Sequence, residues 1–189
     1  MLPLGLYLGY MIFVDIFFFS HFLYNIQDNN IFKVFNFCFL MDEREEIIIK
    51  GQTPFIDKRG SIYNYYLTEP INWIGLITSI GKNIMRANHY HPEQEQKVLV
   101  VSGKYISVYK DLTFPNSQIK HNLVKAGDLV ITPPNVAHTM IFLENTILIN
   151  LVNGERKHEN YGEHTKPYEL VRQEEIHFYV SKYGDIPFA

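Results

Sequence analysis

From Ile47 to Val152 the chain is cut into short runs rich in Ile, Val, Tyr and Thr, each bounded by turn residues. The runs are Ile47–Lys50, Ile62–Leu67, Trp73–Ser79, Ile84–Tyr90, Lys97–Val101, Tyr105–Tyr109, Asn122–Val124, Leu129–Ile131, Thr139–Leu143 and Ile147–Val152. Between them stand Arg59-Gly60-Ser61, Gly81-Lys82-Asn83, Ser102-Gly103-Lys104, Pro115-Asn116-Ser117, Gly127-Asp128, Pro133-Pro134-Asn135 and Asn153-Gly154. β-Branched and aromatic residues suit a pleated surface, and Gly, Pro and Asn suit the reversals between strands. Strands at a spacing of about 8–12 residues predict an all-β, antiparallel sandwich or barrel. No stretch of helical length sustains a 3.6-residue period, and Pro167–Glu175 is expected to be one short helix. No internal repeat, Gly-rich phosphate loop, Gly-x-Ser-x-Gly elbow or heptad run is present.

The first 41 residues differ from the rest. They carry only Asp15, Asp28 and Lys33 as charges, and Leu2 to Tyr24 is almost wholly apolar. At Met41 the character changes, and Asp42-Glu43-Arg44-Glu45-Glu46 follows as an expected solvated start. Three readings fit the segment. A cleaved signal lacks its basic n-region. A membrane or interface anchor over residues 2–24 has nearly the length to span, with Asp15 in mid-span at a cost of roughly 2.5–3.5 kcal/mol. A leader upstream of a working protein that starts at Met41 is the third. All three put residues 1–41 outside the fold and leave 42–189 as a single domain. The expected location is the cytoplasm, with a membrane partner only if residues 2–24 are kept as an anchor.

Composition excludes other classes. A 47% hydrophobic chain is not disordered, and a net charge of −3 argues against nucleic acid as a partner. A lone cysteine, Cys38, excludes a disulfide framework and a Cys-rich zinc module. Histidine is abundant, at eight residues.

Two of those histidines fall in Arg86-Ala87-Asn88-His89-Tyr90-His91-Pro92-Glu93-Gln94-Glu95-Gln96. Residues i and i+2 of a strand face one side, so His89 and His91 present two imidazoles together. Arg86, three residues before His89, does not share that face in a regular strand and reaches it only if the strand bends. A third histidine, His138, follows Gly127-Asp128-Leu129-Val130-Ile131-Thr132-Pro133-Pro134-Asn135-Val136-Ala137, where glycine starts a tight strand and two prolines end it.

These two stretches, with the Ser102-Gly103 hairpin between them, resemble the paired motifs of the cupin superfamily over roughly residues 50–165. Gln96 stands at the family's glutamate position, with Glu95 one residue before it. Asn135 stands where a glycine is usual, and Phe142 where an asparagine is common. The resemblance implies an antiparallel jelly-roll barrel in which His89, His91 and His138 converge. Arg86-x-x-His89-x-His91, Gln96 and Pro133-Pro134-x-x-x-His138, with Glu159-Asn160-Tyr161 in the tail, are similar to the sugar-nucleotide 3,4-ketoisomerases. The dTDP-4-keto-sugar 3,5-epimerases share the arginine and first histidine but usually carry lysine at the Gln96 position. The cupin domain of capsular-sugar reductases has the same Arg-Gly-Asn-His pattern, with Ala87 here in place of glycine. All three groups process nucleotide sugars for surface polysaccharides.

Two chemistries follow from that resemblance. In the first, the protein is an isomerase or epimerase of a nucleotide-linked 4-keto-deoxysugar, working by histidine acid/base transfer through an enediol(ate). Imidazole, with an ordinary pKa near 6.5, serves as acid or base at neutral pH, and two adjacent rings resist being charged together. His91 is expected to move the carbon proton and His89 the oxygen proton. Arg86 would pair with the diphosphate, and Gln96, Tyr105, Tyr109 and His138 would bind the substrate. In the second, His89, His91 and His138, with Glu95 or Gln96, hold a divalent Zn, Mn, Fe or Ni in a small-molecule oxygenase or a carbohydrate-binding protein. A homodimer is expected in either case. His121, His158, His164 and His177 read as solvated surface residues, Tyr63, Tyr65 and Tyr66 as strand packing, and Trp73 as core or interface.

Overall fold

The computed structural model describes residues 42–51, 55–154 and 161–183. The chain divides into two units, 1–40 and 41–189. The apolar segment 1–41, with its signal, anchor and leader readings, lies outside the described residues, as do His158, Glu159 and Asn160. Among the described residues no helix is long and apolar enough to cross a membrane.

The described residues form twelve strands: β1 (Ile47–Lys50), β2 (Phe55–Asp57), β3 (Gly60–Ile62), β4 (Trp73–Ser79), β5 (Ile84–Tyr90), β6 (Gln96–Ser102), β7 (Lys104–Asp111), β8 (Lys120–Lys125), β9 (Asp128–Thr132), β10 (Val136–Phe142), β11 (Thr146–Val152) and β12 (Lys166–Pro167). One five-stranded sheet runs β1-β9-β6-β11-β4 and a second runs β12-β5-β10-β7-β8, every pairing antiparallel. This is an all-β, antiparallel jelly-roll barrel, the fold that the two motifs implied.

Two apolar clusters follow from the alternation of side chains along the strands. Val98, Val100, Tyr105, Val124, Val130, Met140, Phe142 and Leu148 fill the space between the sheets. Ile106, Val108, Ala137 and Ile141 face the other way and pack under Leu170, Val171, Ile176 and Tyr179 of the C-terminal segment. All seven residues of β10 are therefore buried, because both of its faces are covered. The β6–β7 turn is closed by Gly103 at φ 84°, where a Cβ would collide with Asn145 O and Thr146 Oγ1.

Two local expectations fail for tertiary reasons. Pro167–Glu175 is not a helix. Lys166 and Pro167 pair with β5, and the backbone N–H groups of Tyr168, Leu170 and Val171 donate to Asn88, with Leu170 N–H also reaching Tyr168 O, so none of them makes a helical i→i−4 bond. Helical structure starts later, with a 3₁₀ turn at Gln173–Glu175 and α2 (Ile176–Tyr183); α1 (Tyr161–His164) is a single turn. Ile62–Leu67 is also no strand. Only Gly60–Ile62 finds a partner, in β2, and Tyr63 and Tyr66 are exposed, while Tyr65 OH donates to Gly127 O at 2.6 Å. Aromatic β-propensity needs an open strand edge to act on.

Candidate active site

The first motif ends β5 and the second forms the turn into β10. Asn135 joins them: its N–H donates to His91 O at 2.8 Å and its Nδ2 to Pro92 O at 2.9 Å. Asn135 sits at φ 62°, a left-handed conformation that asparagine tolerates better than most residues. It thus does the work of the glycine it replaces and adds a side-chain bond.

His89, His91 and His138 converge. Their ring centroids lie 4.9 Å (89–91), 4.7 Å (89–138) and 5.5 Å (91–138) apart. His91 and His138 are each only 1% exposed, whereas His89 is half-buried and opens onto a cavity. His91 Nδ1–H donates to His164 O at 2.9 Å, and His138 Nδ1–H to Val136 O at 3.3 Å. A carbonyl only accepts, so each of these Nδ1 atoms carries a proton, and in the neutral form of the ring Nε2 is then the acceptor.

A bulge in β5 brings Arg86 to the same place. His138 pairs with His89 and the next residue, Thr139, pairs with Ala87, so Asn88 is the extra residue. Ala87 and Asn88 both have positive φ, 71° and 60°. The bulge shifts the alternation by one, and Arg86 and His89 both line the cavity. Asn88 turns its side chain to the outside of the sheet. There Oδ1 accepts from Thr139 Oγ1 (2.7 Å), Leu170 N (2.8 Å) and Val171 N (3.1 Å), and Nδ2 donates to Val171 O (2.8 Å). At the mouth, Arg86 donates to Thr78 O at 3.0 Å.

The cavity measures about 360 Å³, within the range of small-ligand sites. One wall is apolar, made by Trp73, Ile77, Met140, Leu148 and Val152; the polar groups are Arg86, His89, Gln96 and Asn150. Trp73, read from the sequence as core or interface, is half-exposed there. Asn150, on β11, was not singled out from the sequence. Its only signal is that an inward position of an aliphatic strand carries an amide.

Other expected residues fall elsewhere. Glu95 points away from the cluster and pairs with Lys97 at 2.6 Å, so of the two carboxylate-position candidates only Gln96 lies in the cavity. Tyr105 is fully buried against Phe142, and Tyr109 lies beside His138 in the β7–β10 register with its OH accepting from Asn122 Nδ2 at 3.3 Å. Neither tyrosine lines the cavity, and burial pushes both phenols up. His121 is not a plain solvated residue: its Nδ1 is 2.7 Å from Tyr183 OH and its Nε2 3.1 Å from Lys182 Nζ, under α2.

The charge run 42–46 also departs from a solvated start. Glu46 enters the barrel, 7% exposed, and accepts from Ser107 Oγ at 2.5 Å and Thr132 Oγ1 at 2.8 Å. Burial pushes its carboxyl up to about 7, against the lowering effect of the two hydroxyls. Arg44 NH1 donates to Pro134 O, and Lys120 bridges Glu43 and Glu45.

No protein-family model matches the sequence, and no curated protein does. Solved structures do. QdtA, a sugar 3,4-ketoisomerase from Thermoanaerobacterium thermosaccharolyticum in complex with TDP, is similar with a TM-score of 0.55 at 17% identity, over 75% of this chain and 97% of that one. The dTDP-4-dehydrorhamnose 3,5-epimerase from Bacillus anthracis, with TDP and PPi bound, gives 0.55 at 18% identity over 65% and 78%. The RmlC epimerase from Legionella pneumophila, in complex with dTDP-4-keto-L-rhamnose, gives 0.54 at 18% over 65% and 71%. Likeness at this identity is likeness of fold.

Proposed function

We propose that the protein is an isomerase or epimerase of a nucleotide-linked 4-keto-deoxysugar. One observation carries the reading: three imidazoles from two distant segments meet behind a single cavity whose mouth holds Arg86. The ligands named for the solved structures of this fold, TDP and a dTDP-keto-sugar, support the same substrate class.

The chemistry asks little more. A base removes the proton on the carbon next to the ketone, and an enediol(ate) forms. Return of a proton to the neighbouring carbon moves the ketone, and return to the opposite face inverts the centre; neither route needs an oxidant or reductant. A group that transfers the proton must reach the sugar. His89 lines the cavity and His91 lies behind it, so His89 moves the carbon proton and His91 exchanges protons with His89. The expectation from the sequence put the carbon proton on His91 and the oxygen proton on His89; the carbon proton is here assigned to His89 instead. Arg86 binds the diphosphate through its planar fork.

The test is turnover of dTDP- and GDP-4-keto-sugars, followed in D₂O by NMR. His89→Asn should lower product formation and solvent deuterium incorporation by about 10²–10⁴-fold. Unchanged exchange would remove the reading.

A second reading rests on the same cluster. The three histidines place one ligand atom each within 4.8 Å of one another. Two of them also bond a backbone carbonyl through Nδ1, the support a metal-bound imidazole usually has. Such a metal would act as a Lewis acid. Elemental analysis of chelator-free protein decides, since one equivalent of iron, manganese, nickel or zinc favours it.

We also propose that the working form is a homodimer joined through the outer face of the β1-β9-β6-β11-β4 sheet. The registers put Ile47, Ile74, Leu76, Val101 and Ile147 on that face, all exposed. Its one lysine, Lys97, is ion-paired with Glu95 and Glu69. The other sheet's outer face is covered by this chain's own C-terminal segment. The five strands, four to seven residues long, offer roughly 500 Å² in flat projection, part of which, around Leu129 and Lys97, this chain itself covers, against about 800 Å² per partner in a stable interface. A two-fold axis sets this face against itself.

A further inference from the structure

Two carboxamides in the cavity wall stand out. Gln96 and Asn150 are 5% and 6% exposed, and among the described residues neither Gln96 Oε1 nor Asn150 Oδ1 has a hydrogen-bond partner. A buried amide left unpaired weakens the folded state, so it calls for a ligand. The two lie on adjacent strands. Val98 sits opposite Asn150, which leaves Gln96 one diagonal step away on the same face. On the other side of Asn150, β4 carries Gly75. No positive φ demands glycine there, and a Cβ at Gly75 would meet Asn150 Cβ at an ordinary 3.6 Å. What the missing side chain provides is room in front of the Asn150 amide.

We propose that Asn150 and Gln96 form a neutral subsite for the hydroxyl groups of the ligand's sugar ring, with Gly75 keeping the approach to Asn150 open. The assignment rests on the nucleotide-sugar reading and refines it. A hydroxyl is both donor and acceptor, and so is a carboxamide; the pair therefore complements a polyol edge. Uncharged groups give no ion-pair partner to a carboxylate or an ammonium. Arg86 supplies the cation for the diphosphate, so the amides read the ring and not the nucleotide.

Trp73, the chain's single tryptophan, lines the same cavity, so its fluorescence reports occupancy. The full chain is titrated with dTDP and with dTDP-glucose. Asn150→Leu should weaken dTDP-glucose about tenfold, the worth of one good hydrogen bond, and leave dTDP unchanged. The ligand-free Leu variant should melt no lower than wild type, because an unpaired buried amide has gone. Gly75→Val should also lose dTDP-glucose selectively, and it carries the test if Asn150→Leu does not fold. Unchanged binding of dTDP-glucose by the variants, or an equal loss for both ligands, overturns the subsite while leaving the nucleotide-sugar reading intact. Failure of the wild type to bind either ligand overturns the subsite together with the dTDP form of the nucleotide-sugar reading.

Discussion

Arg86 and His89 line one cavity although three positions separate them on one strand. A regular strand sends residues an odd number apart to opposite faces. The extra residue at Asn88 changes the count, and Asn88 holds the distortion through four side-chain hydrogen bonds on the far side of the sheet.

Replacing Asn88 with alanine should therefore cost both stability and activity. It strands Val171 N and Val171 O, takes the acceptor from Thr139 Oγ1 and leaves Leu170 N only its bond to Tyr168 O, for a loss of about 3 kcal/mol, or roughly 6–12 °C in Tm for a chain of this size. Because the bulge aligns Arg86 with His89, substrate turnover should fall as well. Thermal unfolding and turnover at 25 °C check the two effects, and an unaltered Tm would show that the bulge needs no external hold.

Ala87 carries a different cost. Its φ of 71° is left-handed, which disfavours a residue with a Cβ by roughly 1–2 kcal/mol. Ala87→Gly removes that clash but gains chain entropy in the unfolded state. The expected net effect is a gain of about 0.5–1 kcal/mol, measured as a higher urea midpoint at constant slope. A lower midpoint would mean that the Cβ packs usefully against the cavity wall.

Glu46 sets a pH dependence. Its carboxyl titrates at about 7 in the fold against an ordinary 4.5. Below about 4.5 both folded and unfolded chains hold the proton, and no stability is lost. Between there and 7 the unfolded chain releases it first, so stability falls as pH rises and stays lowered above 7. The gap corresponds to roughly 3 kcal/mol at 1.36 kcal/mol per unit. Glu46→Gln keeps a neutral, hydrogen-bonding group and lacks this titration. The variant should gain on the wild type between pH 5 and pH 8, as read by urea unfolding at both. A constant difference across that range would contradict a protonated Glu46.

The apolar sheet face makes a prediction about assembly. Wild-type protein should sediment at twice its chain mass of 22.2 kDa, and Leu76→Glu should shift it to the monomer. A wild type that is monomeric at tens of micromolar would show that this face has another occupant.

Much of the barrel was legible because its signals are local. Runs such as Trp73–Ser79 and Ile84–Tyr90 coincide with β4 and β5, and the turn at Ser102-Gly103 is where the chain reverses. The pairing of His89 with His91 follows from strand parity alone. Ile62–Leu67 and Pro167–Glu175 were misread because each depends on a distant partner. One finds no strand edge to join, and the other has its backbone donors taken by Asn88, about 80 positions earlier.

Alone, the sequence determined the positions of most barrel strands and their turns, and the shared face of His89 and His91, because backbone sterics and side-chain alternation act between neighbours. The tertiary structure decided the rest. It put Arg86 beside His89, drew Glu46 out of an acidic run to the hydroxyls of Ser107 and Thr132, and set Asn150 next to Gln96. Each of these depends on which remote strand lies alongside, and that is chosen by burying the whole apolar surface at once.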